Sequence, residues 1–324
     1  VTRAGGPPLR AGVVGVGYLG RHHARIYASI SGVRLAGVAD VNRARAEEEA
    51  RRHGTAAFDD HRGLLGQVDL VSVATPTESH RAVASDFLRE GVAVLVEKPM
   101  AASLPEADDL LATAGGAGTL LAVGHTERFN PAVEALRARV ADPRFIEIHR
   151  LGTFPARSLD VDVVLDLMIH DIDLVLALSG GSAVQALDAV GVNALTPRVD
   201  IANARIRLAS GCVANLTASR ISAGKVRKVR VFTRDSYVSC DCADQSVERF
   251  ALSPGAGPGG LRAIVREAPE IAKDEPLARE LRAFVAAASG GPAFEVGGRE
   301  GRAALAVALA VAERIQEGLL EGAR

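Results

Sequence analysis

The chain has 324 residues, 48% of them hydrophobic and 24% charged, with a formal net charge of −1. This length favours two domains, and the composition excludes the disordered, collagenous and membrane classes. With no long block of like charge there is no broad electrostatic footprint for nucleic acid or an anionic membrane, so the expected partner is a small molecule.

The cysteines, Cys212, Cys240 and Cys242, are odd in number, and Cys240-Asp-Cys242 lacks the companion ligands of a structural zinc site. Reduced thiols in a cytoplasmic compartment are expected. The first residues carry no apolar signal region, and no window holds some twenty uninterrupted apolar residues, so neither export nor membrane insertion is expected. Arginine is the default cation. Lysine occurs only at 98, 225, 228 and 273, which makes each one more informative.

Residues 1–124 alternate short apolar runs with amphipathic ones, the pattern of βα units on a parallel sheet. Strands are predicted at 10–16, 33–39, 69–74, 93–97 and 120–124, with helices between them. Runs such as Val92-Ala-Val-Leu-Val96 are apolar on both faces, as a strand covered on each side requires. This half is a doubly wound Rossmann α/β domain. From 125 to 324 the pattern changes to an α+β domain with a mainly antiparallel open sheet. It has helices at 131–140 and 161–178, and strands at 145–151, 201–208, 212–219, 228–233, 237–241 and 247–252. A Gly/Pro-rich loop spans 253–260, and helices at 275–288 and 299–317 close the chain.

Gly15-Val-Gly17-Tyr18-Leu19-Gly20 follows the first strand and opens a helix, and Asp40 ends the next strand twenty residues later. Glycines there admit a pyrophosphate against backbone at a helix N-terminus, and the acidic residue takes the ribose hydroxyls. A carboxylate at 40 repels a 2′-phosphate, which predicts NAD over NADP, with Arg43 near enough to soften the preference. Thr75 and Pro76 follow the next strand and are expected to flank the dinucleotide. Thr75 is also a candidate helix cap and Pro76 a helix start. His80, one turn further on, faces either the cofactor or the packed interior.

Glu97-Lys98-Pro99 ends another strand at the same carboxyl edge. Beside an oxidised nicotinamide, and partly desolvated, Lys98 is expected to exchange a proton with a substrate hydroxyl. Without that context it is a plain anion anchor. In the second half, Asp166, His170 and Asp173 are spaced i, i+4, i+7 and share one face of an otherwise apolar helix. Three ionisable groups on a buried stripe need partners or a shared purpose. No second histidine pair with ligand spacing accompanies them, so no metal is expected.

Taken in order, Gly15 to Gly20, Asp40, Thr75-Pro76 through His80, Glu97-Lys98-Pro99, Gly124 to Pro131, Asp166 through Asp173, Glu275-Pro-Leu and Gly297 to Gly301 resemble the glucose-fructose oxidoreductase, inositol dehydrogenase and rhizopine catabolism family over nearly the whole chain. The resemblance implies an NAD-dependent oxidoreductase acting on a CH–OH group, with Lys98, Asp166 and His170 as its catalytic set. Gly15, Gly17, Tyr18, Leu19, Gly20, Asp40, Thr75, Pro76, His80, Glu97 and Lys98 line the cofactor. It also implies a second-domain sheet that assembles a homo-oligomer, a dimer or a tetramer. The stretch 162–173 is similar to a bacterial branch that oxidises C3 of UDP-N-acetylglucosamine ahead of transamination to the 3-amino sugars of lipid A. Beside the catalytic set, Arg128, Asn130 and Arg157 are candidate contacts to diphosphate or sugar. Other UDP-sugars, sugar uronates, polyols, and a non-catalytic NAD-binding regulator stay open. The family's glycine-rich turn before Asp166 is replaced here by Asp160-Val-Asp162-Val-Val-Leu.

Overall fold

A computed structural model describes residues 7–154, 161–256 and 262–322. Two compact units emerge. The first comprises residues up to Thr126 together with Glu275–Leu305, and the second Glu127–Asp274 with Ala306 onward.

In the first unit, strands β1 (Leu9–Val14), β2 (Val33–Ala39), β3 (Ala56–Phe58), β4 (Leu70–Val73), β5 (Ala93–Glu97) and β6 (Leu121–Gly124) form one sheet in the order β3-β2-β1-β4-β5-β6. Every neighbouring pair is parallel. Helices α1 (Gly20–Ser29), α2 (Arg43–His53), α3 (Thr77–Arg89) and α4 (Leu104–Ala117) connect them. The order reverses between β1 and β4, so the loops after these two strands lie side by side, where doubly wound sheets bind ligands. Strand β3 escaped prediction because three residues are too few to show a period.

The second unit opens with α5 (Pro131–Arg137), β7 (Phe145–Leu151) and α6 (Ile169–Leu178), preceded by a π-helical turn over Val164–Met168. Strands β8 (Val184–Val192), β9 (Ile201–Leu208), β10 (Val213–Ser219), β11 (Val226–Phe232), β12 (Ser236–Asp241), β13 (Ser246–Ala256) and β14 (Arg262–Glu267) complete an eight-stranded sheet, order β14-β13-β12-β11-β7-β10-β9-β8. All pairs are antiparallel except β7 with β10. Ile146, Ile148, Leu216, Ile206, Val229, Val231 and Val238 point to one buried face, which α5, α6 and the π turn cover. Strands β8 and β14 were not predicted. Of the Gly/Pro-rich loop, residues 253–256 extend β13, and 257–260 lie outside the described residues.

The chain's last helices, α7 (Pro276–Ala288) and α8 (Gly298–Gly322), were expected in the second domain. Instead α7 and the first part of α8 belong to the first unit. Helix α7 buries Leu277, Leu281, Phe284 and Val285. The glycines at 297–301 explain the return. Gly297 bridges to Ala122 on β6, and a Cβ on Gly301 would lie 2.4 Å from Val123 Cγ2. The segment closes over β6 because Gly297, Gly298 and Gly301 place no side chain against Leu121 and Val123.

Candidate active site

In the first unit the three motif glycines serve different ends. Gly15 has φ of +82°, a conformation that disfavours a side chain, and its Cβ would lie 2.7 Å from Ala74 O. A Cβ on Gly20 would sit 1.8 Å from Gly15 O, so α1 packs directly on the turn. Gly17 has nothing closer to its Cβ position than Arg45 Nη1 at 4.0 Å. It leaves an open backbone cradle at the start of α1, which fits a dinucleotide pyrophosphate. Tyr18 beside it is 57% exposed and carries Arg21 over its ring, while Leu19 occupies the helix N-cap position.

Asp40 is buried at the end of β2. Its Oδ2 accepts from Val16 N at 3.0 Å and its Oδ1 from Asn42 N at 2.9 Å, so the carboxylate faces the glycine turn. The cation beside it is Arg45, not Arg43: Arg45 Nη1 lies 3.2 Å from Asp40 Oδ2, whereas Arg43 pairs with Glu47. Thr75 follows β4, but Pro76 takes the N-cap position of α3, and the Thr75 hydroxyl accepts from Ser79 instead of capping. His80 is buried between two backbone carbonyls, Thr75 O and Pro99 O, each 2.9 Å from a ring nitrogen. Burial lowers its pKa despite those carbonyls. A neutral ring has one N–H and donates to one of them at a time, tying the loop after β4 to the loop after β5.

Lys98 is half-buried at the carboxyl end of β5, and the Lys98–Pro99 peptide is cis. Glu97, expected to line the cofactor, turns into the protein. Its Oε1 meets His23 Nε2 at 3.1 Å, and its Oε2 accepts from Lys98 N at 3.2 Å. A Cβ on Gly124 would stand 2.8 Å from that carboxylate. Beyond it, His23 Nδ1 meets Ser72 Oγ at 2.9 Å, and Ser72 Oγ meets the Tyr27 hydroxyl at 2.8 Å. Burial pushes the Tyr27 phenol above its usual range. A buried chain thus runs from α1 through β4 to the backbone of Lys98. His23 gave no signal in the sequence beyond lying three residues after Gly20 on α1.

In the second unit Asp162 starts the π turn, its Oδ1 accepting from Val164 N and Leu165 N. Asp166 lies within that turn and His170 in the first turn of α6, both half-buried. The expected three-residue stripe is not kept. Asp173 is buried against Arg128, with contacts of 2.7 and 3.0 Å. The neighbouring Asp171 is buried against Arg150 at 2.7 Å. Burial pushes the Asp171 carboxyl up to about 6, against the pull of Arg150. Arg128 and Asn130, expected as substrate contacts, both turn inward. Arg128 pairs with Asp173, and Asn130 caps α5 and donates to Cys242 O at 2.9 Å. Arg157 lies outside the described residues.

Further back, Arg220 is wholly buried. It donates to Asp200 Oδ1 at 2.8 Å and to Val161 O at 2.7 Å, just ahead of the π turn. Burial opposes the charge on Asp200, but the N–H groups of Leu195 and Thr196 and the Arg220 guanidinium hold its carboxyl well below the usual range.

Residues 9–125 match the family model described as an oxidoreductase family with an NAD-binding Rossmann fold, and residues 132–238 match the C-terminal domain model of the same Gfo/Idh/MocA group. A UDP-N-acetylglucosamine 3-dehydrogenase from Acidithiobacillus ferrooxidans is 44% identical over 94% of this chain and 96% of its own length. A solved structure of the 3-dehydrogenase from that organism superposes with a TM-score of 0.88, at 41% identity, covering 96% of this chain and 98% of its own. An inositol 2-dehydrogenase from Rhizobium meliloti is 27% identical over 95% of this chain and 97% of its own length.

Proposed function

The chain belongs to the Gfo/Idh/MocA oxidoreductases, and from that premise we propose that it oxidises C3 of the sugar in UDP-N-acetylglucosamine to a ketone, with NAD as the hydride acceptor. The supporting observation is Lys98, half-buried at the carboxyl edge of the cofactor sheet, with its N–H held by Glu97 and the carbonyl of the next residue, Pro99, in contact with His80. The choice of substrate follows the relative that is similar over nearly the full length.

NAD, when bound, supplies the acceptor for the hydride of the carbinol carbon. The open cradle at Gly17, shaped by the turn at Gly15 and by the packing of α1 at Gly20, would receive its pyrophosphate, and Asp40 its adenosine ribose. Tyr18, Leu19, Thr75 and Pro76 border it. Lys98 stabilises the developing alkoxide by charge, and His170 takes the hydroxyl proton while Asp166 orients the imidazole and favours its cationic form. In the reverse direction the same groups return the proton to the ketone.

The test is a substrate panel followed by the absorbance of reduced nicotinamide. UDP-N-acetylglucosamine should give the highest kcat/KM. A clear lead for another UDP-sugar, a uronate or a polyol overturns the substrate. Tight NAD binding with no reduction by any sugar overturns the enzyme reading in favour of a dinucleotide-binding regulator.

The sheet of the second unit supports self-association. On the face opposite α5 and α6, Phe145, Phe232, Tyr237 and Phe250 stack across four strands, with centroids 4.7–5.7 Å apart. Val190 and Val192 on β8 are 65% and 55% exposed. A homo-oligomer built on this face predicts that Phe232→Ser lowers the mass measured by light scattering. A cytoplasmic setting suits the three cysteines, which are free thiols. No helix among the described residues is long and apolar enough to cross a membrane.

A further inference from the structure

We propose that Arg45 sets this enzyme's discrimination between NAD and NADP, acting as a guanidinium held in reserve by Asp40. The geometry is specific. Arg45 lies five residues after Asp40 in the first turn of α2, which Asn42 caps by accepting from Arg45 N. Its Nη1 contacts both Asp40 oxygens, at 3.2 and 3.4 Å, and is also the nearest atom to the open side of Gly17, at 4.0 Å. The guanidinium therefore borders both the ribose-binding carboxylate and the pyrophosphate turn.

The two partners differ in freedom. The Asp40 side chain is 5% exposed and fixed by two backbone N–H groups, while the Arg45 side chain is 50% exposed. Together, Val16 N, Asn42 N and Arg45 nearly fill the lone pairs of the carboxylate. For Asp40 to accept ribose hydroxyls, Arg45 has to swing outward, and its solvent-facing half allows this. A swung guanidinium stands where a 2′-phosphate would project, and its fork suits phosphate oxygens. Asp40 opposes that phosphate by charge and Arg45 attracts it. The pair acts as a balance, and removing either member tips it. Arg43, by contrast, is engaged with Glu47 on the outer side of α2.

The proposal rests on the assignment of the cofactor turn, so the test measures binding and not turnover. Titration calorimetry with NAD and NADP gives the ratio of their dissociation constants, NADP over NAD. Arg45→Ala should raise that ratio about tenfold, the scale of one charge-assisted hydrogen bond, and Asp40→Asn should lower it by at least about as much. The double variant should lose most of the Asp40→Asn gain, and Arg43→Ala should leave the ratio in place. An unchanged ratio in Arg45→Ala, a gain that survives in the double variant, or a shift in Arg43→Ala equal to that in Arg45→Ala overturns the proposal. Failure of the parent protein to bind either dinucleotide overturns the cofactor assignment itself. Arg45 is half-exposed, so its removal leaves the core intact, and Asp40→Asn keeps an acceptor for Val16 N.

Discussion

The two units present their functional side chains by different physics. Lys98 is held from beneath by a chain of short polar contacts, Tyr27, Ser72, His23 and Glu97, inside a sheet whose strands are otherwise apolar. Asp166 and His170 are held by buried ion pairs: Arg150 with Asp171, Arg128 with Asp173, and Arg220 with Asp200. Hydrogen-bonded side chains set on strand ends need little compensation, because the parallel ladder already fixes the backbone. A helix that begins in a π turn has no such template, and three arginines anchor it and its surroundings. Strong pairs supply position at the cost of dependence on charge.

The largest effect separates chemistry from scaffold. Lys98→Ala should reduce kcat by a hundredfold to ten-thousandfold, with NAD still bound in calorimetry, and His170→Asn should do the same. Near-normal turnover in either variant removes that residue from the catalytic set. Next comes the ion-pair scaffold. Asp200→Ala leaves the buried Arg220 guanidinium without its carboxylate and should destabilise the second unit by about 3–5 kcal/mol in urea unfolding. Ser72→Ala in the polar chain should cost about 1–2 kcal/mol. If the two costs are equal, the contrast between the units fails.

Acid sharpens the same comparison. The Asp200 carboxyl is depressed in the folded state, so its contribution is present above the ordinary carboxylate pKa and is lost as pH falls through the folded value. The first unit's Asp69 is depressed by Arg10, but its side chain is 37% exposed, so solvent screening reduces its share. Hydrogen exchange followed from neutral pH downward should therefore show residues 193–200 and β9 losing protection before β4 and β5. The reverse order would place the charge-dependent scaffold in the wrong unit.

What the sequence revealed follows the same division. In the first unit each signal is local. A glycine turn follows a strand, an acidic residue ends the next, and Glu97-Lys98-Pro99 closes another, each with its register fixed by the parallel ladder. Even so, Glu97 seemed a cofactor residue because its partner His23 lies 74 positions away. In the second unit the spacing 166, 170, 173 assumed 3.6 residues per turn. Only Asp166 sits in the π turn, where that spacing does not hold, while Asp173, one α-helical turn beyond His170, is buried by its pairing with Arg128. In Phe145-Ile-Glu-Ile-His-Arg150, strict alternation puts Arg150 on the inward face with Ile146 and Ile148, and a buried arginine requires a carboxylate. Strand β8 was hidden by Gly191, whose missing side chain makes room for Ile315 and Val199.

The glycine segment at 297–301 also bears on how the protein is made. The last strand of the nucleotide-binding sheet, β6, ends at Gly124, yet the sheet is not closed over β6 until a segment about 170 residues later has been translated. During that interval the Leu121 and Val123 surface stands uncovered on the nascent chain, a stretch for a chaperone to shield. The same arrangement means that a nicotinamide-binding fragment cannot be cut out at residue 126. A shorter autonomous version would have to join β6 directly to the 275–305 segment, an internal deletion of residues 127–274 and not a cut at either end.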